Sequence, residues 1–365
     1  MHARTRSFKP PHCPNPHCPF HRDPKDWQWK RAGFYSRQVS PQRIQRFQCL
    51  LCRRFFSTQT FSTSYWLRLP RLLPVVLLRS LGCSAIRQIA RELGVAPSTV
   101  QRLLERLGRH CLLYHQLHRP ERLTEPLVID GFETFEFSQY WPFHFNLGVG
   151  AGSHFLYAFT DAELRRKGRM TPEQRIRRQE LERVHGQPDP KAVEKEMAAM
   201  IRLVLPEGGP VEIRSDEHRA YPRALRSLED LEVRRHQVTP STRTRTPGNP
   251  LFPANLVDLL LRHSGSNHKR ETIAFSKRRQ GAAERLAIFQ VWRNWMKSFS
   301  EKKGDATPAE RLGLREGKLT VNELLRRRLF ASLVELPERL MRYYRREIPT
   351  RQVPNGRRHT LRFAY

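Results

Sequence analysis

Four cysteines set as two close pairs constrain the start of this chain more than any other feature. Cys13 and Cys18 lie in HCPNPHCPFH, and Cys49 and Cys52 lie in RFQCLLCRRFF. Each tight turn aims two sulfurs at one point, and four thiolates in two such pairs suit a tetrahedral Zn²⁺. His12, His17 and His21 crowd the first pair and offer alternative ligands. So polar a segment has little core of its own, so metal binding supplies much of its folding free energy. The reading is a zinc ribbon over residues 1–62. Cys83 and Cys111 lack such pairing and read as small buried apolar residues.

Charge narrows the class of partner. The chain has 365 residues, with 66 Lys and Arg against 35 Asp and Glu, a net +31. Residues 1–120 hold 21 basic and 4 acidic side chains, or +17, so the first third is the expected docking surface for a polyanion. The most apolar run, 69–81, is broken by Arg71, Arg79 and two prolines, well short of the ~20 residues a membrane span needs. The expectation is a cytoplasmic protein associated with the nucleoid, with no membrane partner.

A helix-turn-helix is predicted within residues 63–120. In GCSAIRQIARELGVAPSTVQRLLERLGRH, Ile86, Ile89, Ala90 and Leu93 recur at helical spacing, with Ser84 as the expected cap. Gly94 permits the turn, and Ser98 or Thr99 is expected to open the second helix, near Pro97. Val100, Leu103, Leu104 and Leu107 mark its buried face. Thr99, Gln101, Arg102 and Arg106 are the expected contacts to double-stranded DNA.

After Pro126 the pattern changes to apolar runs with period two. PLVIDGFETFEF, PFHFNLGVGAG and HFLYAFTD read as three strands, an antiparallel meander. A charged insertion follows, about 161–188, then the amphipathic helix DPKAVEKEMAAMIRLVLP. A strand ending at Asp216, a helix, and the strand LEVRRHQV complete the order β-β-β-α-β-α-β, that of the ribonuclease H-like fold.

With the paired cysteines at one end and TPAERLGL at the other, the chain resembles bacterial insertion-sequence transposases of the DDE type. The resemblance implies a multidomain α/β protein with a mixed-sheet catalytic domain over 121–300 and a basic helical region over 301–365. It implies that Asp130 in VIDGF and Asp216 in RSDEHRAYP ligate divalent metal, Mg²⁺ or Mn²⁺. Phosphodiester cleavage fits this independently, since carboxylates can hold two ions that activate the nucleophile and stabilise the leaving oxygen. Glu133, Glu136 and Glu217 are read as non-catalytic.

The third acid belongs on a helix after the fifth strand. Asn255, Asp258 and Arg262 share one helix face at i−3, i and i+4, and the resemblance implies Asp258, since related transposases carry an acid with Asn three before it and a basic residue about four after, although Asp stands here where Glu is usual. Glu271 in NHKRETIAFSK is the main alternative and Glu284 the next. Lys277, Arg278 and Arg279 form a cluster suited to phosphates. The function expected is a transposase that binds terminal repeats and target DNA as a homo-oligomer and transfers strands by in-line phosphoryl transfer. The alternative is a non-enzymatic DNA-binding regulator whose ribonuclease H-like domain is inactive.

Overall fold

The computed structural model describes residues 8–269, 272–301 and 304–354. It is a mixed α/β protein with two sheets. The small sheet is antiparallel, in the order β1 (Trp29–Ser36), β2 (Arg43–Cys49), β3 (Phe55–Ser57). Its inner face carries Phe47 and Phe56, which stack on one another and pack with Phe61. A polar segment of this size cannot close a core alone, and Phe330, far along the chain, completes the cluster.

Three helices follow: α1 (Leu72–Leu81), α2 (Ile86–Glu92) and α3 (Pro97–His118). The apolar positions expected of the helix pair are buried, including Ile89, Ala90, Val100, Leu103, Leu104 and Leu107. The caps differ from expectation. Ala85, not Ser84, occupies the cap of α2, and Gln88 reaches back to accept its N–H at 2.7 Å. Proline opens α3 at its first position, where a missing N–H costs nothing, so neither Ser98 nor Thr99 is a cap. Gly94 sits at φ +62°, as the turn requires. The helix α3 is 22 residues long, because its second half is a core element. Gly108 allows it to cross α8 (Arg279–Val291) closely, where a Cβ would meet that of Glu284 at 2.8 Å.

The large sheet has β4 (Leu127–Phe135), β5 (Pro142–Gly150), β6 (Leu156–Glu163), then β7 (Gly209–Ser215) and β8 (Leu231–Val238). Its spatial order is β6-β5-β4-β7-β8. The first three strands are antiparallel, while β7 runs parallel to β4 and β8 parallel to β7. Eight of nine β5 residues are buried, because helices cover both faces of the central strands. On one side α5 (Ala192–Val204) packs on β5 and β6 through Val193, Met197, Met200, Ile201 and Val204. On the other, α7 (Phe252–Ser264) crosses β4 and β5. Between β6 and α5, the mostly exposed α4 (Pro172–His185) fills the charged insertion. The short α6 (Ala220–Arg226) joins β7 to β8.

The C-terminal region is less helical than expected. Among the described residues there, the helices are the four-residue α9 (Pro308–Arg311), α10 (Val321–Leu325) and α11 (Glu338–Arg345). The stretch between α10 and α11 forgoes helix, and its backbone and side chains dock against the N-terminal segment. Arg328 N–H donates to the Phe61 carbonyl at 2.9 Å, and Ser332 Oγ lies 2.8 Å from His21 Nε2. Tyr343 and Arg339 of α11 reach Asp161 on β6, each at 2.6 Å.

Candidate active site

Asp130 lies in the middle of β4 and Asp216 immediately follows β7. The parallel register pairs Leu127 with Ile213 and Val128 with Arg214. Carrying it forward sets Asp130 level with Asp216 at the end of the shared ladder. Asp216 accepts the His218 N–H at 2.9 Å, which turns its carboxylate back over the strand end. Asp130 accepts the Gly131 N–H at 2.7 Å. Burial first, and then the nearby Asp216 charge, push the Asp130 carboxyl up to about 6.

Asp258 comes to the same place from α7. Opposed residues of an antiparallel pair share a face, so Asp130, Phe132, Phe145 and Leu147 line one side of the sheet. That side is the one α7 covers: the Arg262 guanidinium sits 4.4 Å over the Phe132 ring. One helical turn back from Arg262 is Asp258, and two strand residues back from Phe132 is Asp130, steps of about 5.4 and 6.6 Å. The start of α7 points to the start of β4, since Phe252 packs on His154 in the turn after β5.

Tyr221, on α6 and 2% exposed, ties the three acids together. Burial first, and then the charges of Asp130, Asp216 and Asp258, hold its hydroxyl protonated well above the usual phenol range. The hydroxyl is 3.2 Å from where a Cβ on Gly131 would stand, and His144 Nδ1 is 2.7 Å from it. Gly131 is therefore the gap in β4 that the Tyr221 hydroxyl and His144 occupy, on the sheet face opposite the Asp130 side chain. Sequence reading missed Tyr221, although its spacing five residues after Asp216 on the next helix was visible.

Three convergent carboxylates offer hard oxygen ligands of the kind Mg²⁺ and Mn²⁺ take. The Asp130 carboxyl is raised by burial and by Asp216 and partly offset by Arg245, and carboxylates of this kind are the donors that a divalent ion would take.

The other acids are placed elsewhere. Glu271 lies outside the described residues. Glu284 is buried in α8 and bonded to Arg346 at 2.8 Å. Glu136 accepts from the Arg279 N–H and from Thr350. Arg279 itself is 2% exposed, reaching Asp161 at 2.9 Å and Glu163 at 2.6 Å. It therefore leaves the phosphate cluster, while Lys277 and Arg278 remain exposed.

At the other end of the molecule, the sulfurs of Cys13, Cys18, Cys49 and Cys52 lie within 4.8 Å of one another. Cys13 is 3.6 Å from Cys52, and Cys18 is 4.0 Å from Cys49. Tetrahedral zinc with ~2.3 Å bonds to sulfur needs sulfurs about 3.8 Å apart, so the group fits a structural zinc. The neighbouring histidines are not needed. His21 bonds the Cys13 carbonyl at 2.6 Å, and His17 is exposed.

Of the expected DNA contacts, Arg102 is exposed and Thr99 half-buried near the start of α3, while Gln101 bonds Glu105 at 3.2 Å. Arg106 turns inward, donating to the Thr63 carbonyl at 3.0 Å, and burial lowers it to about 10. No helix among the described residues is long and apolar enough to cross a membrane.

No protein-family model and no curated protein matches this sequence. Among solved structures, the chain is similar to one in a cryoEM structure of simian T-cell lymphotropic virus intasome in complex with PP2A regulatory subunit B56 gamma. The identity is 14%, over 68% of this chain and 74% of that one, with a TM-score of 0.26. A likeness of that size settles neither fold nor function.

Proposed function

We propose that this chain is a DNA transposase of the DDE type, with a ribonuclease H-like catalytic domain, acting as an oligomer on double-stranded DNA. The observation that supports it most is that Asp130, Asp216 and Asp258, from three separate elements, all act electrostatically on one buried hydroxyl, Tyr221. A DNA-binding regulator has no use for three buried-edge carboxylates that repel one another.

Asp130, Asp216 and Asp258 would hold Mg²⁺ or Mn²⁺. Bound there, the metal supplies activation of a water or 3′-hydroxyl and stabilisation of the leaving 3′-oxygen. The chain's own work is positioning. The β4–β7 pair fixes two carboxylates, and Arg262 on Phe132 fixes the rotation of α7 that presents the third. Tyr221, held protonated, adds a neutral hydroxyl in the field of the acids. The +17 of residues 1–120 draws the DNA backbone to the head.

Calorimetric titration with Mn²⁺ tests the reading. Wild-type chain should bind the ion at a site that Asp130→Asn and Asp258→Asn both lose, with the fold intact by circular dichroism. Equal binding by all three proteins contradicts the assignment.

A further inference from the structure

The reading edge of α3 lines a cleft. The first two turns of α3 and the exposed side of α2 form one wall of a cleft of about 1480 Å³. The opposite wall is the segment that follows α7, from Ser266 through Lys269 and from Thr272 to Arg278. That wall is anchored to the catalytic sheet. Phe275 packs on Phe135 at the end of β4, with ring centroids 4.8 Å apart. The Phe137 N–H donates to the Ser276 carbonyl at 3.2 Å.

Charge identifies what the cleft takes. Among the described residues its lining holds nine Lys and Arg and two Glu, 9 − 2 = +7. Both acids, Glu105 and Glu284, are already ion-paired to Arg346, at 2.9 and 2.8 Å. The cations stand on both walls: Arg87, Arg91 and Arg102 on the helical side, Lys269, Lys277 and Arg278 on the other. None of these six is in an ion pair among the described residues. Ile273, 97% exposed, projects from the second wall, an apolar side chain with nothing of the protein to cover it.

We propose that duplex DNA is gripped between these two walls, so that the helix-turn-helix and the segment after α7 form one continuous binding surface within a single chain. The inference rests on the proposed function and adds to it the place where the duplex lies. A helix-turn-helix reads bases with the N-terminal residues of its second helix. Here Pro97, Ser98, Gln101 and Arg102 all line the cleft, so a duplex that reaches them must also meet Lys277 and Arg278. Those two take the backbone beside the groove that α3 enters, and Ile273 meets the duplex surface between them as an apolar contact.

The test uses the full chain and a short random-sequence DNA duplex, with affinity followed by fluorescence anisotropy across a salt series. Lys277→Ala and Arg87→Ala lie on opposite walls, and each should weaken binding several-fold and lower the salt slope by about one. Ile273→Asp, on a fully exposed side chain that the fold does not need, should weaken it as well. Arg177→Ala, on the remote α4, should change nothing. If Arg102→Ala weakens binding while Lys277→Ala and Ile273→Asp leave affinity and slope unchanged, the helix-turn-helix binds alone and the two-walled surface is overturned, with the proposed function intact. Tighter binding to single-stranded oligothymidine than to the duplex overturns the choice of duplex. Failure of the wild-type chain to bind either DNA at low salt overturns both readings.

Discussion

Asp130 stands beside Asp216 because β4 and β7 are the one place where the antiparallel half of the large sheet meets its parallel half. The two carboxylates reach that junction from positions 86 residues apart, and their mutual repulsion is part of what lifts the Asp130 carboxyl to about 6. The Arg245 charge works against that repulsion at Asp130, and the buried Tyr221 hydroxyl stands in the field of both carboxylates.

Tyr221→Phe should keep the fold and weaken Mn²⁺ binding by about tenfold, the usual effect of removing a group that orients metal-binding carboxylates. Gly131→Ala is harsher, because its Cβ would press on His144 at 2.7 Å and on the Tyr221 hydroxyl at 3.2 Å. It should destabilise the chain by about 1–3 kcal/mol, the range for overpacking a filled site. Calorimetric Mn²⁺ titration and urea unfolding check the two. An unchanged Mn²⁺ affinity in Tyr221→Phe would show that the hydroxyl only fills space.

Purified under zinc-replete, chelator-free conditions, the chain should carry about one zinc, and Cys49→Ser should lose most of it. Hydrogen exchange should then speed up across β1, β2 and β3 while the β4–β7 ladder stays protected, since the small sheet has only its aromatic cluster and Phe330 to fall back on. Metal analysis that finds no zinc in such a preparation rules the site out.

Arg279 answers three carboxylates at once, Glu136, Asp161 and Glu163, at 3% side-chain exposure. Together with Arg339 it holds Asp161 down to about 2 against the burial that would raise it. Arg279→Met leaves those acids buried and facing each other, and should cost about 3–5 kcal/mol in urea denaturation. A loss under ~1 kcal/mol would mean that Arg339 and Arg351 carry the network without it.

Acid should destabilise the chain earlier than carboxylate protonation alone predicts. His110 and His115 on α3 are buried as neutral rings against the Leu324 and Tyr157 carbonyls, at 2.8 and 2.7 Å. Burial lowers them to about 4 and about 3. In the unfolded chain they titrate near 6.5, so below that pH the unfolded state binds more protons and stability falls as pH drops toward about 4. Above 6.5 neither histidine contributes a slope. Urea midpoints between pH 4 and 8 should show this, and His115→Gln should flatten the curve. Identical pH profiles for the variant and wild type would show that His115 charges without penalty.

How much was legible follows from what kind of signal each feature leaves. The cysteine spacing and the strand periods were local, and the sulfurs and strands lie where those signals put them. The acids Asp130 and Asp216 were legible because each ends or interrupts an apolar strand. Asp258 was proposed from its resemblance to the transposase pattern with Asn255 and Arg262, and it lies on α7, whose Arg262 packs on Phe132 of the sheet. Tertiary partners were not legible. Nothing local separates Arg279, enclosed by three acids, from the exposed Lys277 and Arg278 beside it. Arg106 has the spacing of an outward face, yet Thr63 supplies a carbonyl that draws it in. The stretch 326–337 has helical composition, and loses its helix to contacts with residues some 270 positions earlier, such as Thr60.

The most direct measurement is metal-dependent strand cleavage and joining on a duplex carrying the DNA that borders this chain's gene. Wild-type chain should cut and join in Mg²⁺, and Asp130→Asn, Asp216→Asn and Asp258→Asn should each lose on the order of 10³-fold in rate, while still binding the duplex. Glu271→Gln should stay active. Loss in Glu271→Gln with full activity in Asp258→Asn would move the third ligand without changing the chemistry. Normal cutting and joining by Asp130→Asn or Asp216→Asn would contradict the account at its centre.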